Sequence, residues 1–156
     1  MQRDSKMRNV IVRDLRASDE KQWRELWDDY CGFYKMSLTA GITDGLWQRI
    51  LDNQQAISTI VAEDEDATIC GFANYLLHEH TWGADPICYL EDLFTKAEVR
   101  GKGFGRALID ELAKRGRNEG WDHVYWMTEE NNTTARRLYD RYTKADGYVR
   151  YVLKTK

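Results

Sequence analysis

The sequence predicts an α/β domain built around a mixed sheet, and three observations carry that prediction. Strand-like and helix-like apolar spacings alternate from Asn9 to Lys154 in the order β-α-α-β-β-β-α-β-α-β. Two neighbouring strand-like runs, 56–64 and 68–80, are separated only by a short acidic turn, which reads as a hairpin. The stretch YLEDLFTKAEVRGKGFGRALIDEL, from Tyr89 to Leu112, passes from a strand through a glycine-dense turn straight into an amphipathic helix. With 156 residues, 42% of them hydrophobic, the chain suits one domain over 1–156 with a sizeable core.

The elements follow in order. NVIVR, residues 9–13, is a short strand. SDEKQWRELWDDYCGFY then starts a helix with Ser18 as N-cap and acids in its first turn. Trp23, Leu26, Trp27 and Tyr30 recur at helical spacing, a stripe for the core or a dimer surface rather than a ligand box. A second helix covers Thr43 to Leu51, and the loop before it, with Ser37 and Gly41, is placed to line a substrate pocket. The acidic turn Glu63 to Asp66 reads as solvated. After the TWGADP loop a central strand runs from Ile87 to Thr95, and the helix opening near Gly103 ends near Gly120. HVYWMT is a further strand, NNTTARRLYDRY a helix capped by Asn132 or Thr133, and GYVRYVLK alternates as a terminal strand.

Composition narrows the partners. A formal charge of −3 argues against a general nucleic-acid binder, because the phosphate-binding pattern is confined to one local cluster. Cys31, Cys70 and Cys88 are far apart with no CxxC, and MQRDSKMRNV has no apolar signal core, so a reduced cytoplasmic protein is expected. No apolar run approaches membrane-spanning length. His78 and His80 fall on one strand face, but two imidazoles without a third ligand make a poor zinc site, and no metal is expected.

Chemistry concentrates on the central strand and its turn. Gly101, Gly103 and Gly105 alternate with Arg100, Lys102 and Arg106, and no acid lies between Arg100 and Ile109. Glycines let backbone amides approach a ligand, cations supply field, and a helix N-terminus favours a phosphate, so a pyrophosphate-bearing ligand is indicated. Glu91 and Asp92 stand in a strand that reads as buried; regular alternation puts them on opposite faces unless a bulge intervenes.

Arg100 to Gly105 fits Q/R-x-x-G-x-G/A, the acyl-CoA signature of the GNAT superfamily of N-acyltransferases, and the chain resembles that family over most of its length. Asn132 and Tyr139 on the following strand-helix unit are a second match. YLEDLF, GFANYLL and the aromatic first helix resemble the polyamine (spermidine/spermine) N-acetyltransferase and Hpa2-like branches. The resemblance implies a mostly antiparallel mixed sheet, acetyl-CoA as cofactor, a single domain and a homodimer. It implies that main-chain groups of Leu93, Phe94 and Thr95 pair with the pantetheine arm. Amides of Gly101, Lys102, Gly103, Phe104, Gly105 and Arg106 would hold the pyrophosphate, with charge from Arg100 and Lys102. Asn132 would bond the pantetheine arm, and Tyr139 would protonate the departing thiolate. Two departures stand out: Ala97 where many members have proline, and RYTKADGY where the ending is usually tighter.

The implied activity is acetyl transfer to a primary amine (polyamine, diamino acid or protein lysine) by direct attack on the thioester. An aminoglycoside or N-terminal amine is the runner-up acceptor. An amine of pKa about 10.4 is only about one part in 2,500 neutral at pH 7, a handicap of roughly 4.6 kcal/mol, so a proton acceptor is needed. Glu91 is the leading base, direct or through a water, since a glutamate stands at the matching place in the family and a buried acid titrates high. A hydrogen-bonded structural acid is the competing reading. Asp92, Asp28, Tyr34 and Trp82 are the acceptor-side candidates. Cys88 lacks a His partner and reads as inert. Beside the enzyme stand a structural turn, a dinucleotide fold, which wants GxGxxG where this chain has GKGFG, and a non-catalytic acyl-CoA-binding or sensing module.

Overall fold

β-branched and aromatic runs supply the strands β1 (Ile11–Asp14), β2 (Ile57–Glu63), β3 (Ile69–His78), β4 (Ile87–Thr95) and β5 (Val124–Trp126). They form one five-stranded sheet in the order β1-β2-β3-β4-β5. Only the β4–β5 pair is parallel, so the sheet is mixed and mostly antiparallel as expected. The helices are α1 (Glu20–Phe33), α2 (Ala40–Leu51), α3 (Phe104–Glu119) and α4 (Thr133–Tyr139). The computed structural model describes residues 9–156; residues 1–8 of the expected domain lie outside the described residues. It divides into two compact units, one ending at Trp126 and the other Met127–Lys156.

The apolar stripe of α1 packs as core. Trp23 and Leu26 are fully buried, and with Trp27, Leu46, Trp47, Ile50, Val61, Ile69, Phe72 and Phe94 they seal α1 and α2 onto one face of the sheet. Trp23 stacks on Trp27 at 5.8 Å and tilts against Trp47 at 5.0 Å. On the opposite face α3 buries Phe104, Leu108, Ile109 and Leu112. Gly71 of β3 permits a close approach to β4: a Cβ would meet the Phe94 carbonyl oxygen at 2.7 Å and Thr95 Cγ2 at 2.9 Å.

Four local expectations need correction. Ser18 is not the N-cap of α1; Ala17–Asp19 forms a 3₁₀ turn, and Asp19 immediately precedes the helix. The reason is non-local, because buried Asp19 accepts from both terminal nitrogens of Arg13 at 2.7 and 3.0 Å and from the Arg16 amide at 2.8 Å. Glu63 is not a solvated turn residue, since it accepts from Arg13 Nε at 2.9 Å. Helix α2 starts at Ala40, with Thr39 accepting from the Ile42 amide at 3.0 Å, so Gly41 lies in a helical turn rather than a loop. Finally, the terminal strand expected over GYVRYVLK is absent from the sheet among the described residues. Its alternation is β-compatible, but alternation does not supply a ladder partner.

Within the second unit, Asn132 caps α4, accepting from the Ala135 amide at 3.3 Å.

Candidate active site

The register between β3 and β4 slips at one residue. Asn74 faces Asp92 and Tyr75 faces Leu90, which leaves Glu91 as the extra residue of a β-bulge. The bulge removes the alternation that would send Glu91 and Asp92 to opposite faces. Glu91 is exposed rather than buried. Parallel pairing with β5 ends at Leu90↔Trp126, where the bulge begins. From there β4 continues to Thr95 with no strand beside it on that side among the described residues. Leu93, Phe94 and Thr95 therefore lie along a strand edge with which no strand pairs among the described residues, the geometry that an extended amide-containing arm can pair with.

Asp92 sits in a hydrogen-bonded chain that crosses from α1 into the sheet. Tyr30 donates its hydroxyl to Asp92 Oδ1, Asn74 Nδ2 donates to Asp92 Oδ2 at 2.9 Å, and Thr59 Oγ1 donates to Asn74 Oδ1 at 2.6 Å. Asn74 is fully buried, so each of its bonds matters. Burial first, then the Asp92 charge, pushes the Tyr30 hydroxyl far above its ordinary range. Asp92 thus ties α1 to β4 beside the bulge. Tyr30, Asn74 and Thr59 are site residues that the sequence reading missed. The visible signal was Asn74, one amide inside the apolar run GFANYLL.

The glycine turn takes the shape an anion needs. Gly101 and Gly103 adopt φ of 76° and 95°, the left-handed region that favours glycine. Nothing lies within 4 Å of where a Cβ would project from either, so the space above the turn is open. Gly103 caps α3, and the first turn of the helix is closed by the Ala107 amide bonding to the Gly103 carbonyl at 2.9 Å. The amides of Phe104 and Gly105 precede that bond and have no intrahelical acceptor. Phe104 is itself 1% exposed, so its ring belongs to the core and only its backbone faces the turn. Lys102 Nζ donates to the Glu98 carbonyl at 2.7 Å, which curls the lysine back over the turn. Arg100 lies over Phe33 at 5.4 Å and Phe94 at 5.7 Å, a cation–π clamp on its guanidinium. Arg106 pairs with Asp110 at 3.5 Å along the exposed side of α3. Two left-handed glycines, open amides and flanking cations fit the pyrophosphate of coenzyme A.

The remaining candidates are scattered. Asp28 is exposed on α1, Tyr34 follows that helix and is 42% exposed, and Trp82 in the β3–β4 connection is 91% exposed. Tyr34 packs on Tyr30 and Phe33, each at 5.0 Å, so it continues the aromatic face beside Asp92. Cys88 is fully buried, and burial, followed by the Glu119 charge, pushes its thiol up to about 12, which withholds a thiolate at neutral pH. His78 ends β3, and His80 lies beyond it, so the two do not share a strand face. In the second unit, the Asn132 side chain is engaged locally, accepting from Ala135 and donating to Thr128 Oγ1 at 3.2 Å. Tyr139 is the half-buried last residue of α4.

Comparison with known proteins returns one family. A sequence model of the acetyltransferase (GNAT) family matches residues 12–143. The chain is 32% identical over 133 residues, 85% of its length and 83% of the relative's, to the D-amino-acid N-acetyltransferase HPA3 of Saccharomyces cerevisiae. Its fold is similar to that of a ribosomal-protein-alanine N-acetyltransferase from Brucella melitensis biovar Abortus 2308. The TM-score is 0.79 at 20% identity, covering 94% of this chain and 99% of that one. An equal TM-score of 0.79 at 20% identity, covering 95% and 99%, relates it to AAC(6')-Iy in complex with the bisubstrate analogue CoA-S-monomethyl-acetylneamine.

Proposed function

Because the chain belongs to the acetyltransferase (GNAT) family and is an acetyl-CoA-dependent N-acetyltransferase, we propose that its acceptor is the primary amine of a small molecule, attacking the thioester directly. The observation that carries this reading is the Glu91 bulge, which presents a carboxylate where β4 and β5 part. Acetyl-CoA supplies an activated thioester; the remaining chemistry falls to this chain. Glu91 takes the proton from the amine nitrogen, directly or through a water, which frees the lone pair that attacks the thioester. Tyr139 gives its hydroxyl proton to the departing thiolate. The Leu93–Thr95 edge aligns the donor arm, the 101–106 turn holds its phosphates, and no covalent enzyme intermediate forms.

Polyamines, diamino acids and protein lysines all satisfy this chemistry. The D-amino-acid relative supports a small amine over a protein lysine. We place the whole of 1–156 in one cytoplasmic acetyltransferase domain. The deciding measurement is thiol release from acetyl-CoA with spermidine, L-ornithine, D- and L-lysine and a basic peptide. Turnover with at least one amine is expected, and Tyr139→Phe lowers kcat about 10²-fold or more with acetyl-CoA affinity retained. A chain that binds acetyl-CoA yet turns over none of them is a sensing module instead.

The protein is further proposed to be a homodimer. Tyr148, Tyr151 and Leu153 are 85%, 91% and 89% exposed, an apolar run that gains from burial against a second copy. Sedimentation equilibrium should give twice the chain mass; a monomer at every concentration removes this reading.

A further inference from the structure

We propose that Tyr125 binds the acceptor amine, held as a hydrogen-bond acceptor by His78, an inference that rests on the acetyl-transfer reading above. Tyr125 lies on β5 opposite Tyr89 of β4, with the two rings stacked at 4.9 Å and 22°. Tyr89 precedes the Glu91 bulge on the same strand, and β5 ends one residue after Tyr125, at Trp126. The phenol therefore stands at the mouth where the two strands part. It is half-buried, so it is accessible from the sheet face.

The hydrogen bonds around His78 decide which way the Tyr125 hydroxyl points. His78 Nδ1 lies 2.8 Å from the Glu79 carbonyl oxygen. A carbonyl only accepts, so Nδ1 carries a ring proton, and an imidazole with that one proton presents a lone pair at Nε2. That nitrogen is 3.0 Å from the Tyr125 hydroxyl, and the rings meet edge to face at 88°. Tyr125 therefore donates its one proton to His78. Its oxygen is left with lone pairs alone for anything approaching over the sheet, which suits an amine N–H and repels a carboxylate.

The contribution grows as the reaction proceeds. Nitrogen gains positive charge as it attacks, and an N–H···O bond to a fixed acceptor strengthens with it. Tyr125 transfers no proton; Glu91 takes the one that the arriving ammonium loses, and the one left on nitrogen after attack replaces the proton that Tyr139 gives to the thiolate. Burial first, and then the Glu91 charge, raise the Tyr125 hydroxyl, which keeps it a neutral phenol.

The experiment compares Tyr125→Phe, His78→Gln and His78→Leu, using the panel amine of highest kcat/KM and its N-methyl derivative. Tyr125→Phe keeps the ring that stacks on Tyr89; kcat/KM for the amine should fall about 10- to 100-fold with the acetyl-CoA KM unchanged. His78→Gln can still donate to Glu79 and accept from Tyr125, so it should stay near wild type, whereas His78→Leu should approach Tyr125→Phe. N-methylation removes one N–H, and its penalty should shrink in Tyr125→Phe relative to wild type. Unchanged kcat/KM in Tyr125→Phe overturns this inference alone, as does a loss carried entirely by the acetyl-CoA KM. Absence of thiol release by the wild-type chain overturns the acetyl-transfer reading and this one with it.

Discussion

Gly103→Glu is expected to abolish acetyl-CoA binding, raising the dissociation constant by roughly three orders of magnitude. Gly103 holds φ of 95°, and a residue with a side chain there is strained by about 1–2 kcal/mol. The larger effect is electrostatic. A carboxylate at the N-cap of α3 occupies the open amides and the positive helix end that the pyrophosphate needs. A like charge about 4 Å away costs roughly 4 kcal/mol near a protein surface, which is about a thousandfold in affinity. The fold itself should survive, because an acid at a helix N-terminus is favourable when nothing else competes for it. Gly103→Ala separates the two causes: nothing lies within 4 Å of the added carbon, so it carries the backbone strain without the charge. Isothermal titration with coenzyme A reads both variants. Wild-type affinity in Gly103→Glu would mean that the anion site is elsewhere.

How much of this was legible in the sequence depends on how local each cause is. Strand β4 has the bounds that the apolar run predicts, Ile87 and Thr95, and α3 is flanked by the two glycines that mark its ends. Those signals are carried by neighbouring residues. The bulge is not, because its position is set by which β3 residue faces which β4 residue, and alternation along one strand carries no such record. Glu91 therefore read as a buried acid and is an exposed one. Tyr30 shows the same limit: helical spacing placed it on the packed face of α1, but its hydroxyl partner Asp92 is 62 residues away. Ser18 reads as the cap from its neighbours alone, yet Asp19 stands at that position with its carboxylate held by Arg13 rather than by the helix amides. The C-terminal run alternates as a strand does, yet no ladder forms there among the described residues, because pairing needs a partner that sequence alternation does not name.

Glu91→Gln is expected to lower kcat/KM by about 10² to 10⁴ at neutral pH, with a deficit that deepens as pH falls. Glutamine preserves size and polarity at an exposed position, so the bulge should be kept and the change confined to proton transfer. In the wild-type chain the carboxylate accepts the proton from an amine that arrives as ammonium. Carboxylate and ammonium coexist between the ordinary carboxylate range and about pH 10, so kcat/KM should be nearly flat there. Without the carboxylate, only amine already neutral in solution can attack, and that fraction falls about tenfold for each unit below the amine pKa of about 10.4. The ratio of wild type to variant should therefore rise about tenfold per unit between pH 9 and pH 6, and converge above pH 10. Initial rates of thiol release across that range, at saturating acetyl-CoA, measure the ratio. Two parallel profiles would remove Glu91 from the base role and leave the proton to a water. A ratio that climbs as pH falls assigns the proton to the one acid that the bulge turns outward.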